Sequence, residues 1–274
     1  MKKKNLKKIT KLNHRQLSRL SKIHGHSFFI VDLIKFRKNF LKFSKIFKKY
    51  YPKVCVGYSY KTNYTPQLCK IVNDEGGYAE VASEMEYEAA KKIGVPIDKI
   101  IYNGPTKSKK SFIEAAKKGA IINLDNLSEI PFLKIASKAN LKNKIRVVLR
   151  LNFDIRDKVS RFGIDPEGKD FKTIASEIDS LANVNLAGLH CHFPFRDLKS
   201  FRIRAKKLSK FIDIVFPKEL PDIVNIGGGY YSENLPTELV KSNLKYADYA
   251  EVIGKILSRK FYKKKKWPTL FLEP

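Results

Sequence analysis

The sequence predicts a parallel α/β barrel of the TIM (β/α)8 type, and two observations carry this prediction. Apolar runs of strand length alternate with longer segments that have apolar residues at helical spacing. Such alternation is typical of βαβ units, in which a helix connects two parallel strands. The chain has 274 residues, of which 43% are hydrophobic, and this is enough to fill the core of one large domain.

Counting the apolar runs gives eight strands, once a first strand-like piece at 27–31 is set aside. We expect these strands at 54–60, 77–82, 99–102, 120–124, 145–151, 184–192, 222–226 and 269–272. Eight strands separated by helices favour a closed barrel over an open doubly wound sheet. In such barrels the chemistry lies at the carboxyl ends of the strands.

The segments between the strands carry helix start and stop signals. Ser83 with Glu86 predicts a capping-box start for a helix that Gly94 ends, and Ser108 with Gly119 repeats this pattern. Further helices are expected at 33–49, 167–181, 199–215 and 237–258.

The chain is strongly basic, with 55 Lys and Arg against 27 Asp and Glu and a net charge of +28. A charge of this size raises nucleic acid or an anionic membrane as a partner. Most of the excess is lysine spread over predicted helix faces, so we expect neither partner. Two concentrations remain, the first 22 residues and 263–266. The former predicts a loosely amphipathic helix, and we interpret residues 1–26 as a basic extension before the barrel at 27–274.

The cysteines indicate the compartment. Cys55, Cys69 and Cys191 lie in or beside apolar segments and form no regularly spaced framework. This favours a reducing environment, and we expect the protein in the cytoplasm. No stretch of the sequence reaches the roughly 20 apolar residues of a membrane span.

Polar residues and glycines follow the predicted strands, so a barrel would bring them around one pocket. They are Lys61, Glu80, Asn103, Asp125, Arg150, His190, His192, Gly227, Gly228, Gly229 and Glu273. Lys61 comes directly after a buried strand, where an enzyme would keep an amine for Schiff-base chemistry. The three glycines expose backbone N–H groups that can hold a phosphate, although a flexible turn has the same composition.

Two histidines alternate with Cys191 near the end of the sixth strand, so both imidazoles face one side. One interpretation makes His190 and His192 a metal pair that carboxylates from other strands complete. The other makes one imidazole a flat wall for an aromatic cofactor and places the second inside the barrel. The remaining histidines are near the N-terminus and offer no second cluster.

Seven motifs in order resemble those of the pyridoxal-phosphate-dependent decarboxylases of alanine-racemase-like fold, and most of all diaminopimelate decarboxylase. The resemblance extends from about residue 28 to the last residue. The motifs are YSYKTN (58–63), EVAS (80–83), NGPTKS (103–108), SRFGI (160–164), GLHCH (188–192), GGG (227–229) and EP (273–274).

The resemblance implies pyridoxal 5'-phosphate as the cofactor, attached to Lys61 as a Schiff base. It also implies that His192 stacks on the pyridine ring, that Gly227, Gly228 and Gly229 hold the phosphate, and that Glu273 pairs with the ring nitrogen. A carboxylate there keeps the nitrogen protonated, so the ring can accept electrons when the substrate's α-carboxylate leaves as carbon dioxide.

We expect burial to lower the pKa of Lys61 and so to make its amine nucleophilic. Glu80, Asn103, Arg150 and His190 are expected to support this site or to form ion pairs inside the barrel. No metal is expected in such a site.

The sequence departs from the family pattern in two places. After His192 the family has Ile-Gly-Ser, whereas this chain has Phe193, Pro194 and Phe195, which predicts a bulkier pocket near the phosphate. The family motif continues Glu-Pro-Gly-Arg, whereas the sequence stops at Pro274. We therefore expect a barrel without the last helix and the C-terminal β-domain, and a homodimer or a partner chain that supplies the missing part.

The expected function is the decarboxylation of an amino acid. Diaminopimelate is the first candidate, and ornithine, arginine and carboxynorspermidine are the others. The alternatives are a non-catalytic or split-protein homologue that binds pyridoxal phosphate, an amino-acid racemase, and a metal-dependent barrel hydrolase.

Overall fold

The computed structural model describes residues 12–139, 143–155, 160–233, 243–264 and 266–274. Its strands are β1 (Val54–Ser59), β2 (Tyr78–Val81), β3 (Ile100–Tyr102), β4 (Ile121–Leu124), β5 (Ile145–Arg150), β6 (Val184–His190), β7 (Ile223–Asn225) and β8 (Thr269–Leu272). Each strand pairs in parallel with the next, and β8 pairs with β1. The eight strands form a closed barrel, which confirms the predicted fold class.

Among the described residues, two helices precede β1, and the later helices connect successive strands on the outside of the barrel. The helices are α1 (His14–His24), α2 (Leu33–Lys48), α3 (Pro66–Asp74), α4 (Glu84–Ile93), α5 (Lys109–Lys117), α6 (Ile130–Ser137), α7 (Lys169–Asp179), α8 (Leu198–Val215) and α9 (Tyr246–Phe261). Two short 3-10 turns, Ile97–Lys99 and Leu127–Glu129, precede β3 and α6.

The eight predicted strands are all found, and their bounds agree with the prediction to within two residues. The strand-like piece at 27–31 forms no strand, and Phe29 within it is fully exposed. Its local pattern suits a strand, but no neighbouring strand pairs with it. The helix predicted from 237 begins among residues outside the described ranges, and the described helix α9 begins at Tyr246.

The N-terminal extension contains a basic helix, as predicted for the part that the structure describes. Helix α1 begins after Asn13, whose side chain accepts the N–H of Gln16, and none of its residues is buried. Residues 1–11 and Lys265 of the 263–266 cluster lie outside the described residues.

The helix signals that follow β2 and β3 act largely as predicted. Ser83 Oγ accepts the N–H of Glu86 at 3.3 Å, and Gly94 ends α4 with a φ of +86°. The Glu86 carboxylate accepts the N–H of Ala82 at 2.8 Å, one residue before the partner that a full capping box requires. The start of α4 is therefore half of a capping box with an additional bond to the end of β2.

Apolar side chains fill two separate layers. The larger cluster lies between the strands and the helices. The smaller cluster lies inside the barrel, where it contains one residue from each of β3 to β8 and packs against Cys55 of β1 and Tyr78 of β2. The members from β3 to β8 are Ile101, Ile121, Val148, Ala187, Ile223 and Phe271. The barrel interior is thus a packed core rather than a channel.

The close approach of β6 and β7 generates a test of this packing. Gly188 is beside Ile223, and a Cβ at Gly188 would lie 2.0 Å from the Ile223 carbonyl oxygen. We expect Gly188→Ala to lower the free energy of unfolding by about 3 kcal/mol, because a backbone atom must move.

The matched control for this substitution is Gly76→Ala. A Cβ at Gly76 meets nothing within 4 Å, although its φ is +82°, so a cost of about 1 to 2 kcal/mol from backbone strain alone is expected. Urea unfolding of both variants measures the difference. Equal losses would contradict the contact between β6 and β7.

Candidate active site

A ring of polar side chains lies directly above the apolar layer inside the barrel. Successive inward side chains of a strand are two residues apart, and on β2 to β5, β7 and β8 the polar residue follows the inward apolar one at this spacing. The members of the ring are Ser59, Glu80, Asn103, Asn123, Arg150, His190, Asn225 and Glu273. All eight are buried at the carboxyl ends of the strands.

Glu273 is a buried carboxylate that two amides orient. Its Oε1 accepts from Asn103 Nδ2 at 2.9 Å and from Asn225 Nδ2 at 2.8 Å, and its Oε2 is 3.6 Å from His190 Nε2. Burial alone would raise the pKa of Glu273, but His190 and then Lys61 outweigh it and hold this pKa well below its usual range. Glu273 is therefore ionised at neutral pH.

Lys61 pairs with Glu80 at the open end of the barrel. Its Nζ is 2.8 and 3.1 Å from the two oxygens of Glu80 and 2.9 Å from Ser59 Oγ. Asn103 Nδ2 donates to Glu80 at 2.8 Å as well as to Glu273, so one amide connects the two carboxylates. The side chain of Lys61 remains 41% exposed, which leaves its amine accessible.

The expected pKa shift of Lys61 is wrong in direction. Burial does act to lower the pKa of Lys61, but the charges of Glu80 and Glu273 outweigh it, and the pKa is raised. The amine is therefore protonated in the structure as it stands.

The histidines take separate places. His190 lies inside the barrel beside Glu273, whereas His192 lies beyond the end of β6 and accepts the Gly228 N–H on Nδ1 at 3.1 Å. Burial lowers the pKa of His192 to about 3, so its ring is neutral. Cys191 is buried on the opposite side in the layer below the helices, as strand alternation predicts. Among the described residues, no group of three or more His, Cys, Asp or Glu is placed to hold a metal ion.

The glycine loop after β7 packs against Glu273 and His192. A Cβ at Gly228 would lie 2.0 Å from the Glu273 carbonyl oxygen, and Gly227 has a φ of +71°, so both positions require glycine. The N–H of Gly227 donates to Asn225 Oδ1 at 2.9 Å, and the N–H of Gly228 donates to His192. Two of the three N–H groups predicted to hold a phosphate thus already have acceptors within the protein.

Arg150 forms an ion pair rather than a free contact in the pocket. Its Nη1 is 2.5 Å from Asp125 Oδ2, and Asp125 Oδ1 accepts the N–H of Gly163 at 2.9 Å. The pair therefore fixes the segment that contains the SRFGI motif against β5.

A cavity of about 330 Å³ opens beside His192. Its wall contains Arg150, Ser160, Arg161, Phe162, His192, Phe193, Pro194 and Phe195. The bulky side chains predicted from the Phe193–Phe195 sequence do line this part of the site.

Sequence reasoning missed Ser59, Asn123, Asn225 and Arg204. The first three are polar residues inside otherwise apolar strands, and the two-residue period of the strands would have placed them in the ring. Arg204 is one of many basic residues on α8, and no local pattern separates it from the exposed ones.

The neutral state of His192 generates a pH prediction. Its pKa in the folded protein, about 3, lies below the ordinary value of 6.5, so protonation favours the unfolded chain. The stability from neutral His192 is complete above pH 6.5 and is lost as the pH falls toward 3. We expect His192→Gln to remove about 2 kcal/mol of the pH dependence between pH 7 and pH 5.

Urea unfolding of the wild type and the variant at both pH values measures this difference. The ordinary pKa of the Glu273 carboxyl is below this window, so its titration does not contribute. The same pH dependence in both proteins would contradict a buried, neutral His192.

The described residues contain no helix with the length and apolar character needed to cross a bilayer.

Comparison with known proteins identifies the family. Residues 35–274 match the family described as pyridoxal-dependent decarboxylase, pyridoxal binding domain. Diaminopimelate decarboxylase of Aquifex aeolicus is 29% identical over 219 residues, which are 73% of this chain and 51% of that protein. The enzyme of the same name from Methanocaldococcus jannaschii is 26% identical over 269 residues, which are 87% of this chain and 61% of that protein.

A solved structure agrees with the sequence comparisons. The crystal structure of diaminopimelate decarboxylase from M. jannaschii superposes with a TM-score of 0.81 at 25% identity and covers 93% of this chain and 62% of that one. The chain therefore spans between half and two thirds of the length of these relatives.

The described residues fit pyridoxal phosphate, the cofactor that the sequence predicts and the family match confirms. An accessible amine, an ionised carboxylate and a neutral imidazole lie at one end of the barrel, next to a loop in which a Cβ at Gly228 would collide with backbone. These groups match the aldehyde, ring nitrogen and aromatic face of the cofactor. The chain belongs to the pyridoxal-dependent decarboxylase family, in which its barrel is the pyridoxal-binding domain.

Proposed function

We propose that this barrel binds pyridoxal phosphate covalently through Lys61 and serves the decarboxylation of an amino acid. The observation that carries the proposal is the placement of Lys61 and Glu273 at the same open end of the barrel, with Asn103 bonded to both Glu80 and Glu273. Because the chain spans only part of the length of its relatives, the activity of the whole protein is also a proposal.

When bound, pyridoxal phosphate supplies a ring that accepts the electron pair left behind as the substrate's α-carboxylate departs as carbon dioxide. Glu273 favours a proton on the ring nitrogen because its carboxylate is charged and fixed by two amides. His192 offers a flat neutral face, since its Nδ1 is held by the Gly228 N–H.

Lys61 has two roles in the proposal. Its Nζ attaches the cofactor after losing a proton, and Glu80 with Ser59 holds the ammonium group in place until then. Once substrate has displaced it, the amine is placed to return a proton to the α-carbon or to help release product.

The cavity beside His192 supports diaminopimelate as the first candidate substrate. The Arg161 guanidinium lies 4.7 Å from the centre of the Phe162 ring at this cavity. A guanidinium suits a substrate that carries a second carboxylate, as diaminopimelate does, over ornithine or arginine, which carry only one carboxylate.

The homodimer or partner chain and the cytoplasmic location expected from the sequence stay predictions. The mass in solution, measured by light scattering, tests the expected homodimer. The free thiols of Cys55, Cys69 and Cys191 support the expected cytoplasmic location.

The cofactor assignment is tested by trapping. Purified protein is mixed with pyridoxal phosphate and reduced with borohydride, and its peptides are then analysed by mass spectrometry. We expect one cofactor adduct at Lys61, because the charge of this lysine acts on both Glu273 and His192. The adduct should be lost in Lys61→Ala and retained in Lys70→Ala, where the lysine pairs with Asp74 on the surface of α3.

Adducts spread over surface lysines without preference for Lys61 would rule out the assignment. The loaded protein is then given diaminopimelate, ornithine or arginine, and released carbon dioxide is measured. Inversion of the amino acid without carbon dioxide would indicate a racemase. Cofactor uptake without turnover of any substrate would favour the non-catalytic alternative.

The ion pair between Lys61 and Glu80 predicts the pH dependence of cofactor capture. Glu80 raises the pKa of Lys61 against the effect of burial, so Glu80→Gln lowers this pKa, although Glu273 still acts to raise it. We expect capture of pyridoxal phosphate by the variant to begin at a lower pH than in the wild type, because the neutral amine is the nucleophile.

Stopped-flow absorbance over a series of pH values measures the capture rate. Glu88→Gln is the control, since Glu88 pairs with Lys91 on the outer surface of α4. A capture profile in Glu80→Gln that overlays the wild type, or moves to higher pH, would contradict the role of Glu80.

A further inference from the structure

Arg204 of α8 is a fully buried arginine behind the candidate phosphate site. Its hydrogen bonds among the described residues go to three backbone carbonyls and one hydroxyl. Burial lowers the pKa of Arg204, and a buried guanidinium is costly unless its N–H groups are satisfied. The structure satisfies them with backbone carbonyls.

The guanidinium joins two loops. Nη1 donates to the Gly228 carbonyl oxygen at 2.8 Å, and Nη2 donates to the carbonyl oxygens of Phe193, at 2.9 Å, and Phe195. Nε donates to Ser200 Oγ at 3.2 Å, and the group lies 4.2 Å from the centre of the Phe201 ring. Arg204 therefore holds the glycine loop and the segment after His192 at fixed positions.

These bonds also determine where two N–H groups point. In a planar trans peptide the carbonyl and the following N–H point in opposite directions, and the described chain contains no cis peptide. Because Arg204 holds the carbonyl of Gly228, the N–H of Gly229 points away from α8. Arg204 also holds the carbonyl of Phe195, so the N–H of Arg196 points away from α8 as well.

The two peptide units are neighbours. A Cβ built at Gly229 would lie 3.3 Å from the Phe195 carbonyl oxygen and 3.8 Å from Arg196 Cγ. The N–H groups of Gly229 and Arg196 therefore lie close together, and both point away from α8. Within the ranges that the structure describes, neither N–H has an acceptor.

Three other positions in these loops offer no free backbone donor. Gly227 donates to Asn225, Gly228 donates to His192, and Pro194 has no N–H. The N–H groups of Gly229 and Arg196, whose peptide units Arg204 holds, are therefore available as backbone donors to a phosphate at this end of the barrel.

We propose that Arg204 is a positioning residue that aims the N–H groups of Gly229 and Arg196 at the phosphate of the bound cofactor. It acts from behind the loops, through the carbonyls it holds, and does not touch the phosphate. The proposal rests on the proposed function, since it assumes that pyridoxal phosphate binds at Lys61. A positive charge on the carbonyl side of a peptide also polarises its N–H toward an anion.

The test compares pyridoxal phosphate with pyridoxal, which lacks the phosphate. Arg204→Lys keeps the charge but loses the planar fork that reaches three carbonyls. We expect the affinity of the variant for pyridoxal phosphate to fall by about tenfold, and its affinity for pyridoxal to change by less than about twofold. Arg202→Lys, an exposed neighbour on α8, is the control and should bind both like the wild type.

The outcomes separate the two proposals. Unchanged affinity for pyridoxal phosphate, or equal loss for both ligands, overturns the role of Arg204 while the trapping at Lys61 still stands. If the wild type captures neither ligand at Lys61, the proposed function fails, and the inference fails with it.

A measurement on the wild type keeps the inference testable if Arg204→Lys does not fold. Protein with ¹⁵N in glycine and arginine is titrated with inorganic phosphate and followed by amide NMR. We expect the Gly229 and Arg196 amides to shift, and those of Gly94 and Gly119, which end helices at the other side of the strands, to stay in place. No shift at Gly229 and Arg196 would overturn the inference without any variant.

Discussion

On most of the barrel strands the inward side chains change from apolar to polar within one step of the two-residue strand period. Tyr78 is followed by Glu80, Ile101 by Asn103, and Phe271 by Glu273. Placing so many polar groups inside a protein is costly unless each finds a partner. Here Asn103 donates to both carboxylates and Lys61 neutralises one of them. Asn103 therefore connects the two carboxylates, and the charge of Lys61 depends on both of them.

The glycine loop after β7 is held from two sides. On the inner side the N–H of Glu273 donates to the carbonyl oxygen of Gly227, and His192 Nδ1 accepts the N–H of Gly228. On the outer side the Tyr230 hydroxyl donates to the Gly227 carbonyl at 3.2 Å, and the Tyr230 ring packs against Phe43, Phe47, Phe201 and Tyr249 of α2, α8 and α9. The aromatic core outside the barrel and the polar ring inside it thus position the same loop.

Local pattern was enough for the strands, the helix caps and the location of Lys61, because each depends on residues near in sequence. It failed for 27–31, since a strand also needs a partner, which the pattern of five residues cannot supply. The charge state of Lys61 depends on Glu80, which lies on the neighbouring strand at a distance only the fold determines. The same holds for two other contacts. The Gly228 N–H donates to His192, and Arg204 donates to the Gly228 carbonyl, and in both cases the partners are far apart in sequence.

The seam between β1 and β8 has a consequence for how the protein folds. Val54 pairs with Leu270, so the barrel closes through residues from opposite ends of the barrel sequence, a kind of pairing that forms slowly. Until then β1 has one open edge. Lys61 follows β1 and Glu273 follows β8, so these two groups come to the same part of the barrel only when this seam closes. The pair of Lys61 with Glu80 needs only β1 and β2. A chain with an open seam therefore has the lysine and its first carboxylate without the second, and closure of the barrel is the step that completes the site.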